Sequence, residues 1–161
     1  MTNDPEAALS EHAAYERDES GYELTTTVFD TVVGTKEDDG ETRYRVVVRL
    51  PTLDAVVEGE TVAEVVEDGW FETLELRLDD PTQVTAGRPS VETDVSRAGS
   101  EVRVEMTFTS ARPERAAENA KSLAEFVEGT WVQGIVPGYD YGEPAASLLE
   151  RASQNYDEGG A

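Results

Sequence analysis

Residues 101–109 read Glu-Val-Arg-Val-Glu-Met-Thr-Phe-Thr, a strict alternation that sets Val102, Val104, Met106 and Phe108 on one side. A period of two belongs to a pleated strand with one buried face. Residues 22–33 and 43–50 are β-branched runs joined by Gly34-Thr35-Lys36-Glu37-Asp38-Asp39-Gly40, which predicts a hairpin with a long polar turn. Pro51 closes the second of these strands. Residues 71–78 place Leu74, Leu76 and Leu78 on one face and Thr73, Glu75 and Arg77 on the other, a further strand broken by Asp79-Asp80-Pro81. Val91, Thr93 and Val95, a turn at Ala98-Gly99 and the alternating run form a second hairpin.

Helical signals stand between and around these strands. Asp4 reads as an N-cap, Pro5 as the first helical position and Glu6 as a favourable charge at the dipole. That helix is expected to reach about Tyr15, with Ala8, Leu9, His12 and Ala13 on one stripe and Ser20-Gly21 ending it. Thr61-Val62-Ala63-Glu64 matches a capping box, followed by Val65 and Val66 and a stop at Gly69. Pro113 opens the longest helix, whose stripe is Ala116, Ala120, Leu123, Ala124, Phe126 and Val127. A Gly- and Tyr-rich segment, 129–142, interrupts it. Pro144 starts a last helix with Ala145, Leu148, Leu149 and Ala152 inward. Residues 1–3 and 156–161 are expected to fray.

Mixed charges occupy one side of each strand: Arg43, Arg45 and Arg49; Glu75 and Arg77; Glu101, Arg103 and Glu105. Apolar residues fill the other, so one face of the sheet is wet and helices cover the dry one. The expected fold class is α+β: a single domain, 1–161, of two layers, a mainly antiparallel sheet with helices on one face, order α-ββ-α-β-ββ-α-α.

Charge changes the picture next. The 161 residues hold 13 Lys plus Arg against 35 Asp plus Glu, a net charge of −22. Such a surplus argues against nucleic acid or an anionic membrane as partner, since both are negative. It also destabilises a compact domain at low salt, a repulsion that fades at about molar salt, where the screening length is roughly 3 Å. Lys36 and Lys121 stand against eleven Arg, and one Ile against nineteen Val. This composition resembles that of cytoplasmic proteins in salt-accumulating haloarchaea. A chain that mimics nucleic acid or binds a basic partner is the alternative. The carboxylates favour the solvent reading, because they spread from Asp4 to Glu158 without forming one block. No apolar run of membrane-spanning length and no signal-peptide pattern is present, so a cytoplasmic location is expected.

Candidate chemistry is sparse. Without Cys there is no disulfide, thiolate nucleophile or Cys-ligated metal. Nucleotide-binding glycine loops, a serine nucleophile elbow and a zinc-protease motif are all missing. Asp38-Asp39-Gly40 fits a hairpin turn better than a calcium loop, whose carboxylates must converge from alternate positions. His12, alone of its kind, reads as a packing residue on an apolar stripe before it reads as a general base. Arg43, Arg45 and Arg49 form a basic stripe that can grip an anion or pair with acids on neighbouring strands, and pairing is favoured. The most individual stretch is Trp131-Val132-Gln133-Gly134-Ile135-Val136-Pro137-Gly138-Tyr139-Asp140-Tyr141-Gly142. Either it packs back onto the helices, or it forms an aromatic surface that binds something. Trp131, Tyr139, Asp140 and Tyr141 are accordingly the candidate binding residues, and no catalytic residue, metal ligand or cofactor is assigned.

Two segments carry a resemblance: Gly69-Trp70-Phe71-Glu72-Thr73-Leu74-Glu75-Leu76-Arg77-Leu78 and Gly134-Ile135-Val136-Pro137-Gly138-Tyr139-Asp140-Tyr141. They look like those of a small family of uncharacterised haloarchaeal proteins, over nearly the whole chain. The resemblance implies a halophilic, intracellular origin and transfers no catalytic residues. More distantly, the order of elements is similar to secretion-chaperone-type α+β folds, which often dimerise and bind peptide segments.

The functional expectation is a non-catalytic intracellular binding or adaptor domain, engaging a protein partner or itself through a sheet edge or the aromatic segment around Trp131 and Tyr139. A small-ligand protein or enzyme with a pocket near Trp131, Tyr139 and Tyr141, and with His12 brought to it, is the second expectation. Acidic mimicry of nucleic acid is a third, and requires one continuous carboxylate face.

Overall fold

The computed structural model describes residues 4–19, 21–81, 84–87 and 89–159. The elements are α1 (Pro5–Glu11), β1 (Tyr15–Asp18), β2 (Gly21–Leu24), β3 (Asp30–Asp38), β4 (Glu41–Pro51), α2 (Leu53–Val56), α3 (Glu64–Arg77), β5 (Glu92–Ala98), β6 (Glu101–Ser110), α4 (Pro113–Gln133) and α5 (Ala145–Gly159). The strands form one open antiparallel sheet in the order β1-β2-β3-β4-β6-β5. The fold is α+β, as the strand faces predict. Among the described residues no helix is long and apolar enough to cross a membrane.

Register explains the two faces. Val46 sits between Val33 and Met106, Val48 between Thr31 and Val104, and Leu50 opposite Val102. All of these are buried. Tyr44 and Phe108 extend this face as stacked rings 5.2 Å apart. The 21-residue helix α4 lies on it, and Ala116, Ala117, Ala120 and Ala124 let its backbone come close while Leu123, Val127 and Trp131 fill the space between. α1 packs beside α4 through Leu9.

Four expectations need correction. The first helix stops at Glu11 rather than about Tyr15, and Tyr15–Asp18 is an edge strand paired with β2. Thr25 holds the Ala14 carbonyl with its backbone N–H at 2.8 Å and its hydroxyl at 3.0 Å, which satisfies that acceptor outside any helix. The 22–33 run is therefore two strands, β2 and β3. The polar connection is mostly strand as well: only Asp39 and Gly40, with φ of 50° and 84°, make the turn, the tight two-residue kind that matches strand twist.

The third correction is the largest. Residues 71–78 are not a strand but the second half of α3 and its C-cap. Trp70, Leu74 and Leu78 recur every four residues and are buried, while Leu76 is 75 % exposed. Trp70, Leu74 and Leu78 satisfy both periods, whereas Leu76 fits the strand face alone and stands in solvent, so the helical period is the one the chain adopts. The capping box at 61–64 is not formed, since Ala63 is the N-cap. Asp54 instead accepts the Val62 N–H at 2.7 Å, and Glu67 accepts the Asp54 N–H at 3.0 Å. Fourth, no break occurs at Gly129: α4 continues to Gln133 with Gly134 as its C-cap. Short α2, N-capped by Thr52, is an addition to the expected order. The resulting order is α-ββββ-αα-ββ-αα. Of the ends expected to fray, residues 1–3, 160 and 161 lie outside the described residues.

Candidate functional site

The helices leave the second face of the sheet bare, and its outward positions follow from the same register. Arg45 stands between Gly34 and Thr107, Val47 between Val32 and Glu105, and Arg49 between Asp30 and Arg103. Lys36 is opposite Arg43. Gly34 contributes no side chain, and a Cβ placed there would meet nothing within 4 Å. A groove of about 460 Å³ opens over this point, with half-buried Val32 and Val47 as its floor, Arg45, Arg49 and Arg103 along one side and Asp18, Glu23 and Asp30 along the other. A second hollow of about 390 Å³ continues from Gly34 past Arg45 to Lys36, Arg43 and Thr107.

Cross-strand acids answer the arginines, as the stripe predicts. Arg43 faces Glu92 at 3.8 Å and Arg49 faces Glu101 at 3.6 Å. Glu105 is shared: it hydrogen-bonds Arg45 and lies 3.5 Å from Arg103. Exposed pairs of this kind contribute at most about 1 kcal/mol each, so they orient the guanidiniums more than they stabilise the fold. Arg43, Arg45 and Arg49 keep about half of their side-chain surface in solvent. Sequence reasoning saw the three arginines of β4 and set Arg103 on the wet side of its own strand, but it did not bring Arg103 to them and missed Lys36 and the gap at Gly34. The signal was present in Gly34, a residue without a side chain in a run that pairs as a strand.

The aromatic candidates divide between two places. Trp131 lies inside α4 with no exposed surface. Its indole N–H donates to the Pro51 carbonyl at 3.0 Å, and the Phe29 ring meets it edge-on at 4.9 Å. Tyr139, Asp140 and Tyr141 come together beyond the C-terminal end of α4. The Glu58 N–H donates to the Asp140 carbonyl and the Gly142 N–H to the Val56 carbonyl, both at 2.8 Å, which pins this loop to the end of α2. Tyr141 donates its hydroxyl to the Val136 carbonyl and meets Tyr139 edge-to-face at 6.4 Å. Burial, then the neighbouring Tyr139, raises the Tyr141 phenol above its ordinary value. Both tyrosines are half-buried against the core, and Asp140 is exposed.

His12 is elsewhere. Its Nδ1 accepts the Ala14 N–H at 3.1 Å, so the proton sits on Nε2, which bonds Glu118. Glu118 and Trp131 are both on α4, roughly 20 Å apart at 1.5 Å per residue. Among the described residues no group of three or more His, Asp or Glu could hold a metal ion.

A sheet roofed by helices on one side and left open, grooved and charged on the other defines the class: a two-layer α+β domain with a free sheet face. Within that class the chain belongs to the family of unknown function DUF5813, whose model matches residues 10–151, a span that includes the whole sheet and α4. No curated protein and no solved structure matches the chain.

Proposed function

We propose that this chain is a non-catalytic binding or adaptor domain that engages a protein partner through the bare face of its sheet. The observation that supports this most is the concentration of positive charge over an apolar floor at the centre of that face, in a chain of net charge −22. Helices cover the opposite face, so residues committed to stability and residues free to bind are separated. A small-ligand pocket beside Trp131, Tyr139 and Tyr141 has less to support it, because Trp131 has no exposed surface and His12 is remote.

The same reading places the protein in the cytoplasm of a salt-accumulating, haloarchaeal cell. Its 35 acidic side chains against 13 basic ones suit a solvent in which charge repulsion is screened within roughly 3 Å. The test is light scattering in about 2 M KCl together with affinity capture and identification of what is retained. A defined partner retained by the chain is the expected result. A clean monomer that retains nothing removes the proposal.

A further inference from the structure

We infer, on the basis of that reading, that the partner supplies an extended acidic segment lying along β4. Its carboxylates meet Arg43 and Arg45 at two-residue spacing, an apolar side chain covers Val47, and another carboxylate meets Arg49.

Position carries the first part of the argument. Of the 13 Lys and Arg in the chain, five stand together at the centre of the one face that no helix covers: Lys36, Arg43, Arg45, Arg49 and Arg103. Asp30, opposite Arg49, and Glu105 are the acids set among them, and Glu92 and Glu101 stand at their edge. Cations recruited only to offset the overall charge would be spread among the acids instead. Each guanidinium has five N–H donors. Glu92 and Glu101 stand 3.8 and 3.6 Å from Arg43 and Arg49, outside hydrogen-bonding distance, and about half of each arginine side chain stays in solvent.

Spacing carries the second part. Outward residues on one strand recur every two positions, about 6.6 Å apart. A partner in the same extended conformation repeats at the same interval, so carboxylates at positions one, three and seven of a segment fall over Arg43, Arg45 and Arg49. Position five falls over Val47, where the floor is apolar. Asp18, Glu23 and Asp30 line the opposite wall and repel further carboxylates. They hold the segment to the β4–β6 side and repel a broad polyanion such as duplex nucleic acid.

The experiment is fluorescence anisotropy with a dye-labelled peptide Glu-Thr-Glu-Thr-Val-Thr-Glu, against its isomer Glu-Glu-Glu-Thr-Thr-Thr-Val, in about 0.5 M KCl with folding checked by circular dichroism. The patterned peptide is expected to bind about tenfold more tightly than the isomer, and Arg45→Gln with Arg49→Gln to lower its affinity about tenfold. Equal binding of the isomer, or no effect of the double substitution, overturns the inference. So does displacement by inorganic phosphate at the peptide's own concentration, which would make the face a site for free anions. A dimer abolished by the double substitution, with no peptide bound, would give the face to a second copy and also overturn it. An identified partner whose capture ignores the double substitution sinks this inference alone and leaves the binding-domain reading standing.

Discussion

Replacing Trp131 separates a core residue from a binding residue. The indole is fully buried between β4 and α4, touches Phe29 at 4.9 Å and ties the last turns of α4 to the end of β4 through the Pro51 carbonyl. Truncating a buried Trp to Ala costs about 3–5 kcal/mol. The Pro51 carbonyl loses its donor as well, which adds about 1 kcal/mol. Set against a typical domain stability of about 5–15 kcal/mol, Trp131→Ala brings the protein close to unfolding. Trp131→Phe keeps an aromatic edge against Phe29 and loses the hydrogen bond and part of the volume, a loss of about 1–2 kcal/mol. Urea denaturation in about 2 M KCl, followed by far-ultraviolet circular dichroism, measures both. The phenylalanine variant is the sharper test, because it stays folded. A midpoint unchanged in Trp131→Phe, together with weakened capture of the partner, would make the indole a contact residue and refute the packing argument. The same holds if Trp131→Ala costs less than about 1 kcal/mol.

Other outcomes follow from equally local features. Leu74→Ala should cost about 2–5 kcal/mol and Leu76→Ala less than about 0.5 kcal/mol in the same urea assay, since the first is buried and the second 75 % exposed on α3; equal losses would restore the strand. The buried Tyr44 hydroxyl has no hydrogen-bond partner among the described residues, so Tyr44→Phe should raise stability by about 1 kcal/mol, and a loss of that size would contradict the site. Burial, then Glu37, pushes the Tyr44 phenol up to about 12 from 10.0. An acid whose folded value is raised stabilises below its unfolded value, so this contribution is intact below pH 10.0 and is lost towards about pH 12. Phenolate absorbance and urea midpoints across that window should show the loss in the native chain and a smaller one in Tyr44→Phe. The melting temperature should climb steeply between about 0.1 and 2 M KCl, and a flat response would remove the halophilic reading.

Period two was legible wherever one side of a strand was continuously apolar. Val102 to Phe108 alternate without exception and Tyr44 to Leu50 with the single exception of Val47, so β4, β6 and the buried face could be read directly. It failed where two periods coincide. Trp70, Leu74 and Leu78 lie four apart, a spacing compatible with either element, and Leu76 tipped the reading towards a strand although it faces solvent. Gly69 suggested a stop, yet α3 passes through it because a glycine within a helix costs only about 1 kcal/mol. Gly129 misled in the same way, and with it the placing of Trp131 in a loop. The bare face was half legible: the two-residue spacing of the arginines is in the sequence, whereas Arg103 and Lys36 reach them only through the register of β3 and β6 on β4.

The arrangement of charge on that face also bears on whether two copies can close over it. Acids lie on β1 and β2 (Glu16, Asp18, Glu23), the five cations at the centre with Asp30 and Glu105 set among them, and acids again on β5 (Glu92, Asp94), so the basic residues of this face are confined to its middle band. A closed pair uses the same surface from both copies about a two-fold axis. With the axis through β4, basic meets basic and acidic meets acidic. Opposite bands meet only if the copies slide by about two strands, roughly 10 Å, which uncovers much of the shared area. A single acidic segment from another protein requires no slide, and it meets the basic band while the acidic ones flank it. The pattern therefore selects against self-pairing at the surface it prepares for a strand-like partner. A monomer in light scattering that still binds the patterned peptide is the combination this distribution of charge predicts, and a face-to-face dimer centred on β4 would contradict it.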